Sequence, residues 1–286
     1  MRSELRMMNL RTLRCCWIAT WTWTAVALAP AAAGPAQAQT TDPAADRAAP
    51  FREHSAVYRV TRNGDELGLM HAELTRRDDG LWYYRIDSEA TAFLVRMLGV
   101  STVESGWFDW RDGRIVPLTY HHVSRRPGKD RFWQHRYDWD GLHTDTITHD
   151  GETRVPLARG ALDPLTLRLA VAAVLPEAAS EARSLPFLVV ERDELETQQV
   201  RFLGGETVDI AGRCFDTAVI ERFRKPGSSR NYIGWHAAEL DWIPVRTLHH
   251  EDDDRLVIEL IEYSPADRLP APGGECKPVE ESSAAP

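Results

Sequence analysis

From residue 51 to about residue 263 the chain alternates apolar and polar positions with a period of two, the mark of strands that turn one face to a core. Seven such segments come first, at 56–62, 67–75, 81–90, 103–110, 115–123, 131–139 and 142–149. They are punctuated by Asn63-Gly64, Asp79-Gly80, Asp112-Gly113, Asp140-Gly141 and Asp150-Gly151, dipeptides that supply the positive φ angles of tight hairpins. Alternation resumes at 187–191, 195–203, 214–224, 231–235, 245–250 and 255–263, which makes about thirteen strands. In 131–139 one face carries Trp133, His135, Tyr137 and Trp139, and the other Phe132, Gln134, Arg136 and Asp138.

One helix interrupts the alternation. Asp163 suits an N-cap and Pro164 the first helical position, and Leu165, Leu169, Ala172 and Ala173 follow at helical spacing until Pro176, where the run is expected to stop. Residues 90–98, with Phe93, Leu94, Met97 and Leu98, read as a second short helix or an apolar flap before Gly99. A helix between two antiparallel runs predicts a mainly β fold: a large curved antiparallel sheet or open β-barrel with one inserted helix packed on the sheet. The alternative is two smaller β units joined by the helix.

Outside this region the pattern changes. Residues 1–14 hold four arginines, residues 15–33 are largely apolar, and Ala36-Gln37-Ala38 has the small-x-small form of a cleavage site, so 1–38 reads as a secretory signal peptide. Pro30, Gly34 and Pro35 interrupt the apolar stretch before the roughly 20 residues that span a bilayer, so no transmembrane segment is expected after cleavage. Residues 39–50 read as a flexible linker, 51–265 as a single β-rich domain, and 266–286 as a disordered tail. The expected location is periplasmic or secreted.

Charge and cysteine content refine this. The 286 residues carry 34 Lys and Arg against 43 Asp and Glu, a formal charge of −9, and loss of the arginine-rich leader makes the remainder more acidic, which argues against nucleic acid as a partner. Past the leader only Cys214 and Cys276 remain, 62 positions apart. Export makes a disulfide plausible, with two free thiols as the alternative. Neither reading gives a redox or zinc spacing.

Catalytic signatures are absent from the sequence: it has no GxSxG, HExxH, GxxxxGK[ST] or GxGxxG opening a helix. His121-His122 and His249-His250 are adjacent in strands, so the members of each pair point to opposite faces, and no metal or other cofactor is expected. The run at 251–254 reads as a solvated hairpin turn. The most unusual stretch interleaves Trp107, Trp110, Trp133, Tyr137 and Trp139 with Arg125, Arg126, Arg131 and Arg136. Rings bury apolar faces while guanidinium groups bind anions, so such a surface suits an amphipathic ligand, and it equally suits an ordinary core flanked by solvated arginines.

The order of several residues resembles a bacterial exported family, domain of unknown function 3108. These are Tyr58-Arg59-Val60 and Gly68; Glu104-Ser105, Trp107-Phe108-Asp109 and Pro117; Asp163-Pro164-Leu165; Glu206-Thr207-Val208, Gly212 and Phe215; and Trp235 with Asp241-Trp242-Ile243-Pro244-Val245. The resemblance covers about 51–265 and implies an envelope protein without assigning catalytic residues. More distantly, a long sheet curling around a helix is similar to periplasmic lipoprotein carriers, which hold acyl chains in an open barrel; this is analogy of fold.

The expectation is therefore a periplasmic non-enzymatic protein that binds an apolar or amphipathic, lipid-like envelope ligand. Its lining candidates are Phe93, Leu94, Met97, Leu98, Trp107, Trp133, Trp139, Leu165 and Leu169, and its anion contacts Arg125, Arg131 and Arg136. The alternatives are an envelope hydrolase acting on sugars or esters, and a structural or adaptor protein that docks an envelope partner.

Overall fold

A computed structural model describes residues 48–91, 99–128, 130–178, 184–224, 230–251, 254–273 and 276. Among them fourteen strands form one antiparallel sheet. In the first half lie β1 (His54–Arg62), β2 (Asp65–Arg76), β3 (Trp82–Ala90), β4 (Ser101–Arg111), β5 (Arg114–Arg125), β6 (Arg131–Asp138), β7 (His143–Thr148) and β8 (Gly151–Pro156). After the helix α1 (Pro164–Ala178) come β9 (Ser184–Glu191), β10 (Glu194–Ile210), β11 (Arg213–Phe223), β12 (Arg230–Ala237), β13 (Ile243–Glu251) and β14 (Asp254–Ser264).

The sheet runs β8 through β1, then β14 back through β9. The chain thus starts in mid-sheet, meanders out to one edge, crosses through α1 to the other edge and meanders home to pair β14 with β1. That topology forces curvature. Laid flat, edges thirteen strand spacings apart would be separated by about 60 Å. Yet Leu162, a few residues past β8, bridges in parallel to Val189 of β9, which a chain rising about 3.4 Å per residue permits only if the edges lie within roughly 20 Å. The Leu162 N–H donates to the Leu188 carbonyl at 2.9 Å and the Val190 N–H to the Leu162 carbonyl at 2.8 Å. Across the same seam, Arg192 lies 3.4 Å from Asp150 and 6.0 Å over the Trp133 ring. The result is a nearly closed barrel whose seam is sealed by the segment that leads into the helix.

The helix is apolar on more than one face because the barrel surrounds it. Leu165, Leu167, Leu169, Val171 and Leu175 are all buried, and α1 packs against β4, β5, β9 and β13. Its start is capped reciprocally: the Asp163 carboxylate accepts the Leu165 and Thr166 N–H groups at 2.9 and 2.7 Å, and the Thr166 hydroxyl accepts the Asp163 N–H at 3.0 Å. The helix seats over Gly106, where a Cβ would fall 2.8 Å from the Thr119 carbonyl and 3.8 Å from Leu165 Cδ2.

Several local expectations are corrected. Pro176 does not end α1, which runs to Ala178, because a proline late in a helix loses only one backbone bond while Leu175 and Ala178 stay buried. An extra strand, β8, forms from 151–156, where solvent-facing Glu152 and Arg154 obscured the alternation. β10 continues past Leu203 through a bulge between Phe202 and Gly204, whose φ of 116° only glycine adopts readily. At the fourth turn the positive φ belongs to Leu142, while Gly141 donates its N–H to the Asp138 carboxylate at 2.8 Å. Past 265, where no periodicity predicts order, Arg268 binds Asp241 at 2.7 Å and the Gly273 N–H reaches the Gly212 carbonyl at 2.9 Å. Cys214 and Cys276 are joined in a disulfide that fixes this tail to β11.

Candidate functional site

Residues directly opposite in an antiparallel sheet share a face, so register identifies what looks into the barrel. Two inward rows of polar and aromatic side chains stand out. In the first, Gly106, Tyr120, His135 and Thr146 are successive partners across β4, β5, β6 and β7. Tyr120 donates to Glu104 at 2.8 Å, His135 Nδ1 and Thr146 Oγ1 are 2.9 Å apart, and the Tyr120 and His135 rings stack at 5.5 Å. This row is closed: Tyr120, His135 and Thr146 are each at most 1% exposed. A histidine beside a hydroxyl has the form of a base and nucleophile, but a pair without access to solvent has no route to substrate. Burial holds His135 neutral, with its pKa pushed down to about 4.

In the second row Arg222, Tyr232 and His249 are partners across β11, β12 and β13. The Arg222 guanidinium lies 4.7 Å over the Tyr232 ring, and that ring meets His249 edge-on at 5.0 Å. Beside this row is a cavity of about 340 Å³ lined by Arg222, Tyr232 and His249 together with Gln198, Asn231 and Phe223, with Pro164 at the start of α1 on its wall. Asn231 Oδ1 and His249 Nε2 are buried without a hydrogen-bond partner. Arg168, the one charged side chain between Leu165 and Leu175, has its Nε buried in the same condition.

The electrostatics of the cavity are cationic. Burial lowers the pKa of Arg222, and the Arg168 charge lowers it further. Burial also drives His249 to about 3 and His236 to about 4, and both guanidinium groups push in the same direction. Burial raises the Tyr232 phenol. Glu191 reaches the cavity too, but its carboxylate lies 3.5 Å from Arg224 at the rim.

The lining expected from sequence falls elsewhere. Leu165 and Leu169 are 0% and 2% exposed in the central core, and Trp133 is buried with its ring stacked 3.7 Å from His122. Trp139 packs at the core margin and donates its indole N–H to the Pro117 carbonyl at 2.7 Å. Trp107 lies beside Tyr83 at 4.6 Å and under Arg77 at 5.3 Å, and Arg125, Arg131 and Arg136 are exposed. None of these borders the cavity. Phe93, Leu94, Met97 and Leu98 lie outside the described residues. Two signals in the sequence point to this cavity: Arg222 interrupts the apolar face begun by Ala218 and Ile220, and Arg168 interrupts an otherwise apolar helix. Among the described residues no three His, Cys, Asp or Glu side chains come together as a metal site, and no helix is long and apolar enough to cross a membrane.

No protein-family model and no curated protein matches the chain, so the resemblance to domain of unknown function 3108 rests on the ordered residues alone. Among solved structures, the beta-barrel-like protein of domain of unknown function DUF1849 from Brucella abortus is similar over 76% of this chain and 98% of that one, at 11% identity and a TM-score of 0.49. MucB is similar over 81% of this chain and 61% of its own, at 13% identity and a TM-score of 0.30. The Pseudomonas aeruginosa MucA/MucB complex is similar over 74% of this chain and 51% of that one, at 12% identity and a TM-score of 0.28.

Proposed function

We propose that the protein is an exported, non-enzymatic component of the cell envelope whose nearly closed barrel receives an amphipathic small molecule at the cavity beside Arg222, Tyr232 and His249. The observation that carries this reading is the mixed character of the cavity. Phe223 and Tyr232 offer apolar surface, while Arg222, Gln198 and Asn231 offer charge and hydrogen bonds in one concave space of about 340 Å³. Binding sites combine apolar walls with a few convergent polar groups in this way. At the cavity, Asn231 Oδ1 and His249 Nε2 are buried without partners, which is costly, and a molecule bound there would supply them. A cavity near the lower end of the usual range, roughly 300–1,000 Å³, suits a headgroup and a short apolar segment better than a whole acyl chain.

Native mass spectrometry of the protein recovered from a bacterial periplasm tests the reading, since a retained ligand appears as added mass. Expected are an N-terminus immediately after Ala38 and a population carrying one small amphiphile. A bare mass, together with no thermal shift from any envelope lipid extract, rejects it.

A further inference from the structure

Charge around the cavity is distributed unevenly. Arg224, at the rim, is occupied by two carboxylates, Glu191 at 3.5 Å and Glu196 at 3.1 Å. Arg222, two positions earlier and within β11, lines the cavity itself and forms no ion pair among the described residues; its guanidinium lies over the Tyr232 ring. Behind it Arg168 also lacks an ion pair among the described residues. The carboxylate that most favours its charged form, Glu104, already accepts the Tyr120 hydroxyl. Two partly buried guanidinium groups near one another, neither held in an ion pair, are an expensive arrangement for a core and a suitable one for capturing an anion.

The other groups at the site agree. Gln198 and Asn231 carry amide donors at the cavity wall, and His249 is held neutral by burial and by the two arginines, so the positive charge at the site is that of the guanidinium groups. Glu191 is the one acid on the wall among the described residues; it lies 3.5 Å from Arg224 and also favours the charged form of Arg222.

Resting on the amphiphile reading above, we infer that the ligand carries a phosphate- or carboxylate-type oxyanion, seated against the Arg222 guanidinium with Arg168 behind it, and its apolar part against Tyr232 and Phe223. Arg222 is the specificity-determining residue: its planar fork matches two oxygens of such a group, and its charge rejects cationic and penalises neutral heads.

The test is calorimetric titration of the full mature chain with three probes: decyl phosphate, decyl maltoside and inorganic phosphate. Each is run on the native protein, on Arg222→Gln and on Arg136→Gln, which removes an exposed arginine from the outer face. Decyl phosphate is expected to bind at least tenfold more tightly than decyl maltoside. Arg222→Gln should erase that preference and Arg136→Gln should leave it intact. Arg222→Lys, which keeps the charge but loses the fork, should fall between and carries the test if Arg222→Gln does not fold. Equal binding of the two decyl probes, unaffected at Arg222, overturns the oxyanion assignment and leaves the amphiphile reading standing. Binding of inorganic phosphate as tight as decyl phosphate keeps the anion site but overturns the amphiphile. No binding by any probe overturns both.

Discussion

The Tyr120–His135–Thr146 row and the Arg222–Tyr232–His249 row are built alike, each across three strands on the inner face of one sheet, and yet one is sealed and the other borders a cavity. The difference lies in what meets them. The first row ends at Gly106, whose missing side chain lets Leu165 of α1 settle onto the sheet; Tyr120 and His135 Nδ1 find partners in Glu104 and Thr146, while His135 Nε2 is buried without one. In the second, Arg222 stands beside Tyr232 where Gly106 stands beside Tyr120, and His249 Nε2 and Asn231 Oδ1 border the cavity without partners. Polar side chains inside a barrel are structural where packing seals them and available for binding where a cavity reaches them.

The comparison can be broken at its supports. The largest effect is expected at the disulfide, which holds the tail against β11 on the open side. Replacing Cys214 and Cys276 by serine frees a link spanning 62 residues, and loop-closure entropy puts the loss at about 4 kcal/mol. Urea unfolding of the double variant against the oxidised parent reads this directly, and an unchanged midpoint rejects it. On the closed side, Leu165→Ala removes a side chain that is 0% exposed. It should cost about 3 kcal/mol, within the usual range for a buried leucine, with far-UV circular dichroism preserved. A loss below about 1 kcal/mol would mean that the closed row is not packed as described.

Acid acts on both rows. His135 and His236 titrate near 4 and His249 near 3 in the folded chain, against about 6.5 unfolded. Folding stability from these groups is therefore complete above about pH 6.5 and is lost as the pH falls toward 4, because the unfolded chain binds protons that the folded chain refuses. Each contributes about 2 kcal/mol of loss by pH 5. Asp163, raised to about 7 by burial, works in the opposite sense, its contribution being lost as the pH rises through 7. His135→Gln should flatten the fall in urea midpoint between pH 6.5 and 5, and an undiminished slope contradicts the assignment.

How far the sequence foretells this depends on whether the determinant is local. Hairpins were legible because Asn63-Gly64 and Asp112-Gly113 place positive φ at both turn residues, a demand written into two adjacent side chains. The helix start was legible because Asp163, Pro164 and Thr166 sit within one turn. The barrel was legible in outline as one helix between two antiparallel runs, whereas its closure depends on Leu162 meeting Val189 and Arg192 meeting Asp150, pairings that no periodicity reports. The cavity was not legible for a related reason. Aromatic density pointed to Trp107, Trp133 and Trp139, but apolar residues are the ones a core consumes. The informative residues were the misfits, Arg168 in an apolar helix and Arg222 on an apolar strand face, because a charge in such a place requires a partner.

The finest distinction between the rows is how their histidines respond to a bound anion. His249 is depressed first by burial and then by the charges of Arg168 and Arg222, whereas the depression of His135 comes from burial and, in lesser part, from His121. An oxyanion seated on Arg222 offsets the arginine contribution and leaves the burial contribution in place. Adding decyl phosphate should therefore raise the His249 midpoint by a fraction of a pH unit, followed through its ring proton resonances, and leave that of His135 where it is. Equal displacement of both would trace the change to a general loosening of the barrel, and displacement of His135 alone would place the anion at the closed row, against the electrostatics of both.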